Sequence, residues 1–123
     1  MNSTKVLIID DEAGFTHLVK ITLEKSGCYE VCEENDARNA WQTARNFHPH
    51  IIFVDNATPG GNGAEIAWQI RSDASLAAVP IVFLTAIKPR EEGHKSVGGF
   101  PFLSKPVSLA AITRCIDEHV RVV

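Results

Sequence analysis

Long blocks of like charge are missing from this sequence. With 12 Lys and Arg against 15 Asp and Glu, it offers no basic stripe to follow a nucleic-acid backbone or an acidic membrane surface. No apolar run approaches the roughly 20 residues of a membrane span. The N-terminal Met1-Asn-Ser-Thr-Lys5 stretch has no signal-peptide pattern, because the apolar segment after it is broken at Asp10. The expectation is a soluble, cytoplasmic chain with no direct nucleic-acid or membrane partner. Cysteine is scarce: Cys28, Cys32 and Cys115 form no CxxC pair, and an odd count without a secretory signal reads as reduced packing thiols. The five histidines are scattered. His48-Pro-His50 precedes an apolar strand of roughly 16 Å, so it falls at the sheet edge away from that strand's terminal acid. Repeats, linkers and low-complexity segments are also missing. The 123 residues, 45% of them hydrophobic, therefore read as one domain, residues 1–123, with no output domain.

What is present is organised around Ile51-Ile-Phe-Val-Asp-Asn-Ala-Thr-Pro-Gly-Gly-Asn-Gly63. Four apolar residues make a buried-strand core that stops at Asp55, and Pro59, Gly60, Gly61 and Gly63 forbid its continuation. Asn62 is a good helix N-cap, with Glu65 three residues on, ahead of Ile66, Ala67 and Ile70. Taken alone, Asp55 either begins a turn, as many aspartates do, or is a site carboxylate.

The same plan recurs along the chain. Lys5–Ile9 is an apolar, β-rich run that halts at Asp10-Asp11-Glu12. Phe15, Leu18, Val19, Thr22 and Leu23 then follow helical spacing, which predicts a helix over about 13–26 with Gly27 as its stop. Tyr29–Glu33 alternates as a more exposed strand, and Asp36 caps a helix to about Asn46, with Trp41 a packing residue. Val79–Ala86 is an apolar strand ending at the hydroxyl of Thr85. Between 87 and 99 the signal weakens: Pro89 opens a short or irregular helix that Gly93, Gly98 and Gly99 limit. Phe100–Leu103 is a short edge strand, and Ser108 caps a last helix carrying Leu109, Ile112, Ile116 and Val120.

Five strands alternating with five helices predict an α/β fold: a doubly wound parallel sheet in the order 2-1-3-4-5. In a parallel sheet the groups that close the strands share one edge, where ligands bind near the point at which strand order reverses. That edge collects Asp10, Asp11, Asp55, Thr85 and Lys105. Three carboxylates in one site repel one another, and unless a cation joins them at least one pKa must rise. An all-oxygen set that leaves positions for water and phosphate suits Mg²⁺, with Mn²⁺ as substitute. An Asp nucleophile, a metal, a lysine and a hydroxyl together describe a phosphoryl-transfer centre.

The set Asp10-Asp11, Asp55 with Pro59 and Gly63 downstream, Phe83-Leu-Thr-Ala86 and Lys105-Pro106 resembles the receiver domain of two-component response regulators, of stand-alone, chemotaxis-regulator-like form. The resemblance covers essentially the whole chain and implies a flavodoxin-like fold. It implies that Asp55 accepts a phosphoryl group from a sensor histidine kinase or histidine phosphotransfer protein. Asp10, Asp11, Asp55 and the Ala57 carbonyl would hold Mg²⁺, Lys105 would pair with the phosphoryl group, and Thr85 would move toward it. Phe102 matches the aromatic switch residue, as Phe where Tyr or His is frequent, so a hydroxyl-dependent output contact is excluded. The implied protein is a monomer or weak dimer acting on an unknown downstream protein. It is not an enzyme but a phospho-acceptor that assists its own phosphorylation and dephosphorylation.

Two rival readings fit these residues less well. A receiver-fold interaction module acting independently of phosphate would not need Asp55, Thr85 and Lys105 together. A flavin protein or aspartate-nucleophile phosphatase fits poorly: the first strand–helix turn, Asp10-Asp-Glu-Ala-Gly14, is acidic where a flavin phosphate would sit, and no Asp-x-Asp-x-Thr pattern occurs. Three departures from the family pattern stand out: Thr58 replaces the usual methionine, Gly61 the usual apolar residue, and the Gly93–Pro101 region differs from the common output face. The positions that influence water access in this family, two after the acceptor and two after Thr85, are Ala57 and Ile87, and neither orients water. Spontaneous dephosphorylation is therefore expected to be slow. Following phosphoryl loss with time checks this, and a half-life as short as that of rapid chemotaxis-type receivers would contradict it.

Overall fold

Apolar runs too short for helices and rich in β-branched side chains become strands, and the segments between them with 3.6-residue periodicity become the helices that cover them. A computed structural model describes residues 3–55, 63–85 and 99–120. In chain order it contains β1 (Thr4–Ile9), α1 (Ala13–Lys25), β2 (Tyr29–Glu34), α2 (Ala40–Phe47), β3 (Ile51–Asp55), α3 (Gly63–Arg71), β4 (Ile81–Thr85), β5 (Phe102–Ser104) and α4 (Leu109–His119). Short 3₁₀ turns at Ala37–Asn39 and Ala74–Leu76 precede α2 and β4. The strands form one parallel sheet in the order β2-β1-β3-β4-β5, the flavodoxin-like doubly wound arrangement.

Alternation along the strands splits the core in two. Leu7, Ile9, Ile52, Val54 and Phe83 pack with α2 and α3 on one face. Val6, Ile8, Phe53, Val82 and Leu84 pack with Val19 and Leu23 of α1 and Ile112 and Ile116 of α4 on the other. β1, β3 and β4 are covered on both sides, which is why their sequences are continuously apolar rather than alternating.

Most boundaries fall within a residue or two of the sequence expectation. Gly27 stops α1 at φ 81°, a left-handed conformation that costs glycine little. Ser108 Oγ accepts from the Ala111 N–H at 3.0 Å as the cap of α4. Trp41 packs against the core and donates Nε1–H to Asp73. Three details differ. The segment that Asp36 caps opens as a 3₁₀ turn before it becomes α-helix. α2 ends at His48 in a left-handed conformation (φ 55°), where the sequence carries no glycine to signal it. Leu18, counted with the apolar face of α1, is 55% exposed, because Thr16, Val19 and Leu23 occupy the buried stripe instead. The Asn62 cap and the short helix opened by Pro89 lie outside the described residues, among which four α-helices are found.

Phe53 is fully buried at the centre of the sheet. Phe53→Ala is expected to cost about 3–5 kcal/mol, read from the urea unfolding midpoint; a loss below about 1 kcal/mol would show that the α1/α4 face collapses around the cavity.

Candidate functional site

Register delivers the polar groups to one edge. Ile9 lies opposite Val54, so the next residues, Asp10 and Asp55, end β1 and β3 at the same level. Asp55 lies opposite Leu84, one step before Thr85, and Thr85 lies opposite Ser104, one step before Lys105. The Lys105 N–H donates to the Thr85 carbonyl at 2.7 Å, which anchors the lysine to the end of β4. The Lys105–Pro106 peptide is cis.

The side chains converge from there. Lys105 Nζ stands 3.2 Å from Asp55 Oδ1, 3.6 Å from Asp10 Oδ2 and 3.9 Å from Glu12 Oε1. Asp10, Asp55 and Thr85 are buried, whereas Asp11 is exposed. Oxygen atoms of Asp10, Asp11 and Asp55 lie within 4.8 Å of one another. A cleft of about 420 Å³ opens beside them, lined by Asp10, Glu12, Phe15, Lys105, Pro106 and Val107.

Charge explains what such a cluster needs. Burial, more than any other cause, pushes the Asp10 carboxyl up to about 6; the Glu12 N–H, which donates to Oδ1 at 3.0 Å, opposes this, the Asp55 charge adds to it, and Lys105 opposes it. For Lys105, burial pulls the pKa down, but the attraction of Asp10, Asp55 and Glu12 outweighs it and the ammonium ends above its ordinary value. Among the described residues, none donates a hydrogen bond to the buried Asp10 Oδ2. An unsatisfied carboxylate oxygen, all-oxygen donors and a raised pKa fit a hard divalent cation, which one lysine does not replace.

The sequence-predicted Asp10, Asp11, Asp55, Thr85 and Lys105 thus meet at one edge, and Phe102 lies further back in β5, opposite Phe83 of β4. Ala57, Thr58 and Ile87 lie outside the described residues. Sequence reasoning passed over Glu12 as a partner of Lys105, and Phe15, Pro106 and Val107 as the cleft walls. Only for Glu12 was there a signal, its place in the acidic triplet after β1.

Comparison with known proteins bears on the family and the fold. The family model described as "Response regulator receiver domain" matches residues 6–117. The chain is 33% identical over 107 residues to the phosphate regulon transcriptional regulatory protein PhoB of Pseudomonas aeruginosa, covering 84% of this chain and 45% of that protein. It is 34% identical over 115 residues to response regulator Rre1 of Synechocystis, covering 89% and 49%. It therefore spans about half the length of these two relatives. Polar-differentiation response regulator DivK of Brucella ovis is 28% identical over 117 residues, with 94% of both chains covered. Among solved structures, chemotaxis protein CheY4 of Vibrio cholerae superposes with a TM-score of 0.82 at 28% identity, covering 96% of this chain and 99% of that one.

The raised Asp10 pKa carries a sign. The folded value of about 6 exceeds the unfolded value of about 3.9, so the Asp10 contribution is present below the lower value and lost as pH rises through the upper one. In EDTA at pH 7.5, Asp10→Asn is expected to exceed wild type in stability by about 1–2 kcal/mol, a gap that closes toward pH 4. Mg²⁺ at pH 7.5 should raise the wild-type melting temperature but not that of the variant. Equal wild-type and variant midpoints in EDTA at pH 7.5 would refute this account of the cluster.

Proposed function

This chain belongs to the response regulator receiver domain family of two-component systems, and from that premise we propose that Asp55 is its phospho-acceptor, charged by a phosphohistidine donor. The observation that carries the reading is the buried Asp55 carboxylate 3.2 Å from Lys105 Nζ, inside a cluster with Asp10 and Asp11. A carboxylate oxygen of Asp55 attacks phosphorus, the donor's P–N bond breaks, and the electron pair stays on the imidazole nitrogen. Lys105, already held between Asp55 and Asp10, turns toward the arriving phosphoryl oxygens. Asp10, Asp11, Asp55 and the Ala57 carbonyl would hold Mg²⁺, or Mn²⁺ in its place, which supplies positive charge for the transferred oxygens when bound.

Thr85 hydrogen-bonds a phosphoryl oxygen from the end of β4. Phe83 opposite Phe102 and Thr85 opposite Ser104 set Thr85 and Phe102 on the same sheet face, so inward movement of Thr85 frees space into which Phe102 turns. The phosphoryl group adds a charge of about −1.5 to −2 to an acidic site, which biases a two-state equilibrium and alters the surface offered to a downstream protein. The protein is itself the acceptor, modified and then restored in each cycle, and assists its own phosphorylation and dephosphorylation rather than turning over a separate substrate.

The donor is a sensor histidine kinase or histidine phosphotransfer protein. The cleft reaches Asp10 and Lys105 beside Asp55, and Leu18 and Ile21, 55% and 53% exposed, extend from Phe15 along α1 as an apolar strip for the donor's surface. With a small phosphodonor and Mg²⁺, wild type is expected to gain one phosphoryl group by intact mass, and Asp55→Asn and Asp55→Ala to gain none. Retained Mg²⁺-dependent labelling in these variants would move the acceptor to another residue.

A further inference from the structure

We propose that Asn35, at the exit of β2, is a positioning residue that aims the metal ligands Asp10 and Asp11; this rests on the reading of the acidic cluster as a Mg²⁺ site. The problem it solves lies at Asp11. No hydrogen bond or ion pair from the described residues holds the Asp11 side chain, which is exposed, yet one of its oxygens sits within 4.8 Å of those of Asp10 and Asp55. Its direction therefore depends on its backbone, and above all on the plane of the Asp10–Asp11 peptide.

Two bonds hold the main chain at Asp10. Its N–H donates to the Glu34 carbonyl at 3.1 Å, prolonging the β1–β2 ladder by one step. Its C=O, the oxygen of the Asp10–Asp11 peptide, accepts from Asn35 Nδ2 at 2.7 Å. A carbonyl oxygen can only accept, so the amide of Asn35 must present its nitrogen there. The second proton of that nitrogen goes to Thr16 Oγ1 at 2.9 Å, and Thr16 passes its own to Glu33 Oε1 at 2.7 Å. Thr16 is fully buried in the first turns of α1. One amide thus ties the end of β1, the start of α1 and the exit of β2 at the corner from which Asp10 and Asp11 project.

Asn35 is exposed, so truncating it leaves no cavity and the fold should persist. Val31, buried on the same strand, supplies the control: Val31→Ala removes packing without touching these bonds. The experiment titrates Mg²⁺ by calorimetry into the full chain for wild type, Asn35→Ala and Val31→Ala, with unfolding midpoints measured in EDTA. Asn35→Ala is expected to raise the Mg²⁺ Kd about tenfold, the scale of partners that orient metal ligands. Val31→Ala should lower the unfolding midpoint and leave Kd unchanged. With acetyl phosphate as donor, Asn35→Ala should raise the Mg²⁺ concentration for half-maximal labelling by the same factor while keeping the maximal rate. An unchanged Kd in Asn35→Ala, or a rise that Val31→Ala matches, overturns the assignment. A wild type that binds no Mg²⁺ overturns both this inference and the metal reading beneath it, so the wild-type titration tells the two failures apart.

Discussion

Lys105 Nζ stands within 4 Å of three carboxylates, those of Asp55, Asp10 and Glu12, and the edge of the sheet is arranged around that imbalance of one cation against several anions. One ammonium cannot neutralise them. Burial first, and then the Asp55 charge, raises the Asp10 pKa, and a buried oxygen of the same residue accepts no hydrogen bond from the described residues. A cluster held in this state responds to any positive charge that enters it and to any negative charge added to it. That sensitivity is the physical basis of a switch.

The fold tolerates the cluster because the rest of the sheet is so apolar. β3 and β4 are buried throughout and β1 from Val6 onward, with helices on both faces, and the site's polar residues appear where the strands run out. In a parallel sheet those ends coincide, and register decides which of them stand level. Asp10 and Asp55 are level across β1 and β3, and Lys105 is tied by its own N–H to the Thr85 carbonyl across β4 and β5. The site is therefore only as well placed as the ladders behind it.

Rigidity is unevenly distributed around the site. On the β1–β2 side, Glu34, Asn35, Thr16 and Glu33 form a continuous set of hydrogen bonds to the corner that carries Asp10 and Asp11. On the α1 side, Leu18 and Ile21 remain uncovered beside a cleft that reaches Lys105. A hydrogen-bonded corner thus stands beside an uncovered apolar surface.

Legible in the residues alone were the number and alternation of strands and helices, the two-sided burial of the central strands and the residues that close them. These depend on local period, on β-branched runs and on breakers such as Asp10 and Pro59, all of which act within a few residues. The sequence also carried the chemistry, since Asp10, Asp11, Asp55, Thr85 and Lys105 are ordinary residues singly and informative only as strand ends. It could not show that Leu18 faces solvent while Thr16 takes the buried stripe, because helical spacing allows either until neighbours compete for the core. Nor could it show Glu12 near Lys105 or Asn35 on the Asp10 carbonyl, which join residues 93 and 25 positions apart in the chain. Such contacts exist only once the sheet has closed, because register between distant strands, rather than local propensity, sets which groups come within hydrogen-bond reach.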